Sequence, residues 1–425
     1  MENMDTGYKI VDHLFRNEAG KMIAVLTRLF GIHNLRLAED VVQEAFYMAV
    51  QTWKFDQLPE NPAGWLMQTA RNKAIDIIRK DQRFHRYSKE LATHPEEKTT
   101  GALHEFFLES EIADSQLQLV FACCHPALKE EDRLAITLKT ISGFGPKEIS
   151  KALVIPEATV QKRLYRARKF LQENNIRLEI PTGKELSKRL ETVYIVLYLL
   201  FNEGYNSIKA DELIRKDLCA EAMRLCLLLS EHQCGKQPTG FALLSLMCFH
   251  ASRFDSRITE NNEIILLADQ DRSLWNHELI GMGYYYLNHS SSGGVITVYH
   301  VEAAIAAEHA LTTSFENTNW QRLLVLYDLL FQFKQTPMVI LNRAIILSRL
   351  DQNEKAIHEV MNLMDIDYLL NTQYIFNAVL GDLYLQSADT VTAEKFFIKA
   401  ESLTNSSAEK NLLKKKIFRI TKSDQ

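Results

Sequence analysis

A chain of 425 residues with 46% apolar and 24% charged side chains has the composition of an ordinary soluble protein, at a length that calls for two or three separate cores. Its net charge of −5 argues against a nonspecific nucleic-acid coat, and no run reaches the roughly 18 uninterrupted apolar residues of a membrane helix. The six scattered cysteines form no disulfide framework, and MENMDTGYKIVDHLF lacks a basic-then-apolar leader, so the expectation is reduced thiols in a cytoplasm. Sixteen Gly and nine Pro are few for this length, which predicts an all-α chain.

Charge is distributed unevenly. Residues 1–177 hold 25 basic and 24 acidic side chains, and 178–425 hold 24 and 30. Two short stretches concentrate the positive charge: 71–90 has seven basic against three acidic residues, and 157–172 has five against one. Two compact basic helices in a near-neutral half fit directed DNA contact at two places.

In chain order, Val41, Val42, Ala45, Phe46, Ala49 and Val50 recur at helical spacing, and Asp40, Gln43 and Glu44 make a polar acidic stripe beside them. Alone this is an ordinary amphipathic helix. KFDQLPENPAG (54–64) reads as a loop. A second helix follows, with Trp65, Leu66, Ala70, Ala74, Ile77 and Ile78 on one face and Arg71, Asn72, Lys73, Asp76, Arg79 and Lys80 on the other. Basic residues with Trp53, Phe55 and Trp65 nearby are what single-stranded DNA binding uses; a basic helix packed by tryptophans gives the same pattern. Residues 90–114 are acidic and weakly patterned, a linker with at most one helical turn around Phe106–Leu108.

The most local signal is PKEISKALVIPEATVQKRLYRARKFLQ (146–172). Pro146 suits the first position of a helix, Val154-Ile155-Pro156 breaks the chain, and a second helix opens at Glu157 with Val160, Leu164, Ala167 and Leu171 inward. Thr159, Gln161, Lys162, Arg163, Tyr165, Arg166 and Lys169 lie on its other side. This is a helix-turn-helix pattern, whose second helix can lie in a major groove; a helical hairpin with a solvated basic face is the plain alternative.

DxxQExF (40–46), a Trp-Leu helix ending in basic residues, a linker and a basic helix-turn-helix, in that order, resemble the extracytoplasmic-function (ECF) class of RNA polymerase sigma factors over roughly residues 8–175. LKEEDRLAITLKTISGFGPKEIS with ATVQKRLYRARK carries the resemblance most closely. The turn LVIP lacks the glycine common in the motif, and with ACCHPAL (122–128) and NEGY (202–205) it resembles a subgroup fused to a tetratricopeptide-like C-terminal domain. The resemblance implies core RNA polymerase and promoter DNA as partners, no enzyme activity and no cofactor. Asp40, Gln43, Glu44 and Phe46 would dock on the polymerase clamp. Lys54, Phe55, Asp56, Trp65, Asn72, Lys73, Asp76, Arg79 and Lys80 would read and open the minus-ten element. Thr159, Gln161, Lys162, Arg163, Tyr165, Arg166 and Lys169 would read the minus-thirty-five element. The implied domains are 8–89 and 115–177 around the 90–114 linker, then a helical regulatory domain over 180–425. A DNA-binding regulator acting without polymerase is the alternative, and DxxQExF argues against it.

In the second half, NRAIILSRLDQNEKAI (342–357) and LGDLYLQSADTVTAEKFFIKAESL (380–403) align, with small residues twelve apart at Ala344 and Ala356 and at Gly381 and Ala393. Small residues at that spacing let paired helices approach closely, as in tetratricopeptide repeats, which bind proteins or peptides; a small ligand is also compatible. AAIAAEHAL (303–311) and WQRLLVLYDLL (320–330) read as another pair, and GVITVYHV (294–301) as a strand-like run too isolated to build a sheet. Adjacent cysteines on a helix point about 100° apart, so Cys123-Cys124-His125 reads as helix-end packing rather than a metal site. No phosphate loop, nucleophile elbow or zinc helix is present.

Overall fold

The computed structural model describes residues 2–53, 58–80, 109–153, 155–174, 176–205, 214–259, 265–404 and 406–423. Their ordered elements are helices, and the all-α expectation holds. The chain forms two compact units. One comprises Met1–Glu203 with Asp217–Gly235; the other comprises Gly204–Lys216 with Lys236–Gln425.

The first unit begins with α1 (Glu2–Phe30), α2 (Leu35–Thr52) and α3 (Pro62–Lys80). Their apolar stripes meet in a core containing Met22, Leu26, Phe30, Val42, Phe46 and Leu66. Before α3, Asn61 Oδ1 accepts a hydrogen bond from Gly64 N–H (2.9 Å), satisfying a donor that the first turn would leave open, and Pro62 needs none. Helix α4 (Glu109–Cys123) starts inside the stretch expected as linker. Arg28 on α1 pairs with Glu111 (2.6 Å), and Leu117 and Phe121 are buried, so tertiary contact orders a segment of weak local pattern. The turn expected at Phe106–Leu108 lies outside the described residues.

Next come α5 (Glu130–Thr140), α6 (Pro146–Ala152) and α7 (Glu157–Glu173). Cys123 and Cys124 are buried where α4 ends, with their sulfurs 3.5 Å from Thr140 Oγ1 and 3.8 Å from Thr137 Oγ1. Burial pushes the two thiols up to about 12 and 11, so both stay protonated and act as small packing groups. Two further helices complete this unit. In α8 (Gly183–Tyr205), Arg189 is 6% exposed and donates to Phe121 O (3.2 Å), and Thr192 Oγ1 accepts from Arg133 (3.0 Å). In α9 (Lys216–Glu231), Arg224 donates to Gln116 Oε1 on α4 (3.3 Å).

The second unit is a succession of helices packed mainly on their sequence neighbours. They are α10 (Pro238–Ala251), α11 (His277–Ser290), α12 (Val298–Leu311), α13 (Trp320–Phe333), α14 (Pro337–Arg349), α15 (Asn353–Met361), α16 (Ile366–Thr372), α17 (Tyr374–Gln386), α18 (Thr390–Leu403) and α19 (Ser407–Ser423). The strand-like run 294–301 does not become a strand. Thr297 is extended and its N–H donates to His300 Nδ1 (3.1 Å), so a capping box opens α12 at Val298. The small residues at twelve-residue spacing are where helices touch: Ala344, Ala356 and Ala393 are fully buried. At Gly381 a Cβ would stand 2.7 Å from the Phe397 ring, so only glycine lets α17 lie this close to α18.

Candidate nucleic-acid and polymerase interface

Helix α7 is the centre of the site. Val160, Leu164, Ala167 and Leu171 are buried at helical spacing and fix which face turns outward. Gln161, Lys162, Tyr165, Arg166 and Lys169 are exposed, Tyr165 to 68%; Thr159 and Arg163 are half-buried at the edge of that face. The helix enters from Pro156 in extended backbone (φ −59°, ψ 143°), and the preceding α6 is tied in by Gly145 N–H donating to Glu148 (2.8 Å).

The five cations of α7 divide into two groups. Arg166 forms a bidentate pair with Asp132 on α5, Nε to Oδ2 at 3.0 Å and Nη2 to Oδ1 at 2.6 Å, and Asp132 is 3% exposed. The two parallel hydrogen bonds raise the Arg166 guanidinium above its ordinary value and fix the helix on its support. Arg168 donates to both carboxylate oxygens of Glu39 on α2, at 3.2 and 3.0 Å. Among the described residues Lys162, Arg163 and Lys169 have no buried carboxylate partner, and Lys169 meets the exposed Glu173 at 3.8 Å. The net attraction for a polyanion therefore comes from these three.

On α2, Asp40, Gln43 and Glu44 are exposed, as their stripe implied. Phe46 is 5% exposed and packs edge-on against Phe15 with ring centroids 4.9 Å apart, so it props the helix from below and offers no outward surface. On α3, Asn72 and Asp76 are exposed and Lys73 is half-buried. Lys73 pairs with Glu44, so two residues assigned to different partners by sequence are joined here. Gln68 donates to Asn72 Oδ1 (2.9 Å), and Trp65 packs edge-on against Trp53 at 5.3 Å. Lys54, Phe55 and Asp56 lie outside the described residues, as do the side chains of Arg79 and Lys80. Sequence reasoning missed Asp132, Glu39 and Arg168. An ion pair between residues 34 or 129 apart leaves no local periodicity to read.

The outward faces of α2 and α7 are two walls of one cleft. Asp40 and Gln43 line one side, and Gln161, Tyr165 and Lys169 the other.

Three family models match the chain: Sigma-70 region 2 over residues 14–84, Sigma-70 region 4 over 118–171, and a family of unknown function (DUF6596) over 189–291. The uncharacterised protein R00370 of Rhizobium meliloti is 31% identical over 414 residues, covering 95% of this chain and 94% of that one. The ECF RNA polymerase sigma-E factor of Haemophilus influenzae is 30% identical over 159 residues, covering 37% of this chain and 82% of the relative. The ECF RNA polymerase sigma factor SigM of Bacillus subtilis is 28% identical over 160 residues, covering 37% of this chain and 89% of the relative. No solved structure matches.

Proposed function

We propose a division of labour within a chain that belongs to the extracytoplasmic-function (ECF) family of RNA polymerase sigma factors. It is an alternative sigma factor, a non-enzymatic protein of transcription initiation, and a polymerase-independent regulator is not favoured. The family acts with core RNA polymerase and promoter DNA. Among the described residues no helix is long and apolar enough to cross a membrane, which suits a protein working beside polymerase in the cytoplasm.

In our reading the exposed Asp40, Gln43 and Glu44 dock on the polymerase clamp. Trp65, Asn72, Lys73 and Asp76, with Lys54, Phe55, Asp56, Arg79 and Lys80, serve the minus-ten element. Gln161, Lys162, Arg163, Tyr165 and Lys169 serve the minus-thirty-five element, with Thr159 at the edge. The observation that carries the assignment is the outward face of α7: Lys162, Arg163 and Lys169, none of them held by a buried carboxylate among the described residues, and a 68%-exposed Tyr165, on a helix whose opposite face is buried. The second unit is read as a tetratricopeptide-like regulatory domain that takes a protein, peptide or small ligand. A domain in the same chain acts at near-millimolar effective concentration when the connection is short, so a weak contact suffices.

Run-off transcription with core polymerase tests the assignment. The chain should direct initiation from its own promoters. K162A with R163A should abolish that output and leave co-purification with polymerase intact, whereas D40K with E44K should abolish co-purification. Promoter-specific transcription by the K162A–R163A chain at the unaltered level would remove α7 from promoter reading.

A further inference from the structure

We infer that the second unit holds a binding site for a phosphate group, free or as a small-molecule monoester, built from Arg253, Arg272, Trp275 and His309. The site deepens the small-ligand reading of this unit and rests on that reading alone, not on any role given to the first unit.

Two short runs between helices bring the residues together. Arg253 follows α10, and Arg272 and Trp275 lie on a single turn (Arg272–Leu274) and its exit, just before α11. Asn276 N–H donates to Ser252 O (2.8 Å) and joins the two runs. His309 comes from the last turn of α12. Arg272 Nη1 donates to His309 O (2.6 Å) and Thr312 O (2.8 Å), so its guanidinium closes the carbonyl end of α12. The guanidinium carbon of Arg272 stands 4.5 Å, and that of Arg253 5.6 Å, from the centroid of the Trp275 ring.

Capping of α12 uses one nitrogen of Arg272 and leaves the rest of the cluster unexplained. Arg272 Nη2, Trp275 Nε1 and His309 Nδ1 are buried without a hydrogen-bond partner among the described residues, and Trp275 is 4% exposed. An orphaned buried donor is costly, and three around one guanidinium call for an acceptor. Charge is uncompensated as well. Arg253 donates to the neutral Tyr205 hydroxyl (2.6 Å), which belongs to this unit. The acids at hand are exposed and engaged: Asp255 pairs with Lys216, Asp271 accepts from Ser273 (2.9 and 2.7 Å), and Glu316 is held by its backbone and Ser314. Burial and Arg253 lower Arg272 from its ordinary value, and burial with Arg253 and Arg272 holds His309 down to about 4. Positive groups gathered around a buried indole N–H repel one another until an anion joins them.

The donor set selects the anion. Two guanidiniums supply two positive charges, and three N–H groups stand open, His309 Nδ1 in the tautomer that carries its proton there. A carboxylate brings one charge and two oxygens. A phosphate monoester brings close to two charges and three acceptor oxygens, which matches both counts. Arg253, Arg272 and His309 are half-buried rather than enclosed, so a small solute reaches them.

Calorimetric titration of the full chain with inorganic phosphate, at constant ionic strength made up with chloride, tests the site. The expected result is one saturable site for which sulfate competes and chloride does not. W275F keeps an aromatic ring and removes the N–H; R253Q removes one charge and leaves the Arg272 cap on α12. Each should weaken phosphate binding at least about tenfold, the usual worth of a hydrogen bond or charge aimed at an anion. Circular dichroism should find both variants as helical as the unaltered chain, and phosphate should raise the melting temperature of the second unit, less in either variant. Phenyl phosphate separates the two sources. Tighter binding than inorganic phosphate marks a small-molecule monoester, binding no tighter marks free phosphate, and either supports the site. Absence of saturable binding would overturn it, as would full affinity in both variants or an equal response to chloride. Saturable binding that the variants lose, with run-off output the same at zero and saturating phosphate, would support the site and overturn the regulatory reading of the unit instead.

Discussion

Arg166 and Arg163 lie three residues apart on α7 and should respond to substitution in opposite ways. Arg166 satisfies the nearly buried Asp132, so R166A leaves a carboxylate without its partner and should cost about 1–3 kcal/mol of stability, read as a lower melting temperature of the first unit. Arg163 is half-buried and has no such partner among the described residues, so R163A should leave melting unchanged. It should instead weaken DNA binding. A loss of about 1–3 kcal/mol confined to one base position would mark base contact, and a uniform loss with a salt slope smaller by about one would mark phosphate contact. In the second unit, burial, with Arg253 and Arg272 close by, holds His309 down to about 4. Its folded value lies below the unfolded value of about 6.5, so neutral His309 contributes stability above pH 6.5 that is lost as pH falls toward 4. Denaturant midpoints of the second unit should drop through that window, and H309N should flatten the drop.

At the scale of elements, the helix-turn-helix was legible because one period and one charge pattern coincide: Val160, Leu164, Ala167 and Leu171 turned inward as read, and α7 opens at Glu157 as expected. The approach of α17 to α18 was legible from Gly381 and Ala393 for the same reason. G381A should cost about 1–3 kcal/mol through overpacking against Phe397, and F397L should recover part of it. The neighbours of α8 were not legible. IPTGKE (180–185) leads into the start of α8, but nothing in it says that Arg189 will donate to Phe121 O on α4. A chain ending at residue 179 loses that cover over α4, and one ending at 235 keeps it. The longer fragment should melt cooperatively and remain monomeric in sedimentation, while the shorter should melt lower and aggregate.

For the whole molecule, two compact units predict departure from two-state unfolding, with calorimetry resolving two transitions and R166A moving one of them alone. Composition sufficed for the all-α class, and motif order sufficed for the family. The ion pairs Glu39–Arg168 and Asp132–Arg166 were out of reach, since each depends on where two distant helices come together.

The backbone passes between the two units three times, at 203–204, 216–217 and 235–236. This ordering has a consequence during synthesis. Everything matched as region 2 and region 4 has left the ribosome soon after residue 171, yet the unit holding them still lacks α8 and α9. At about 5–20 residues per second, the stretch up to Gly235 takes roughly 3–13 s more to make. Throughout that interval the nascent chain exposes the surface of α4 that α8 and α9 will cover. A ribosome stalled between about 180 and 235 should therefore hold a chain bound by chaperones, and release of that surface should coincide with emergence of α9.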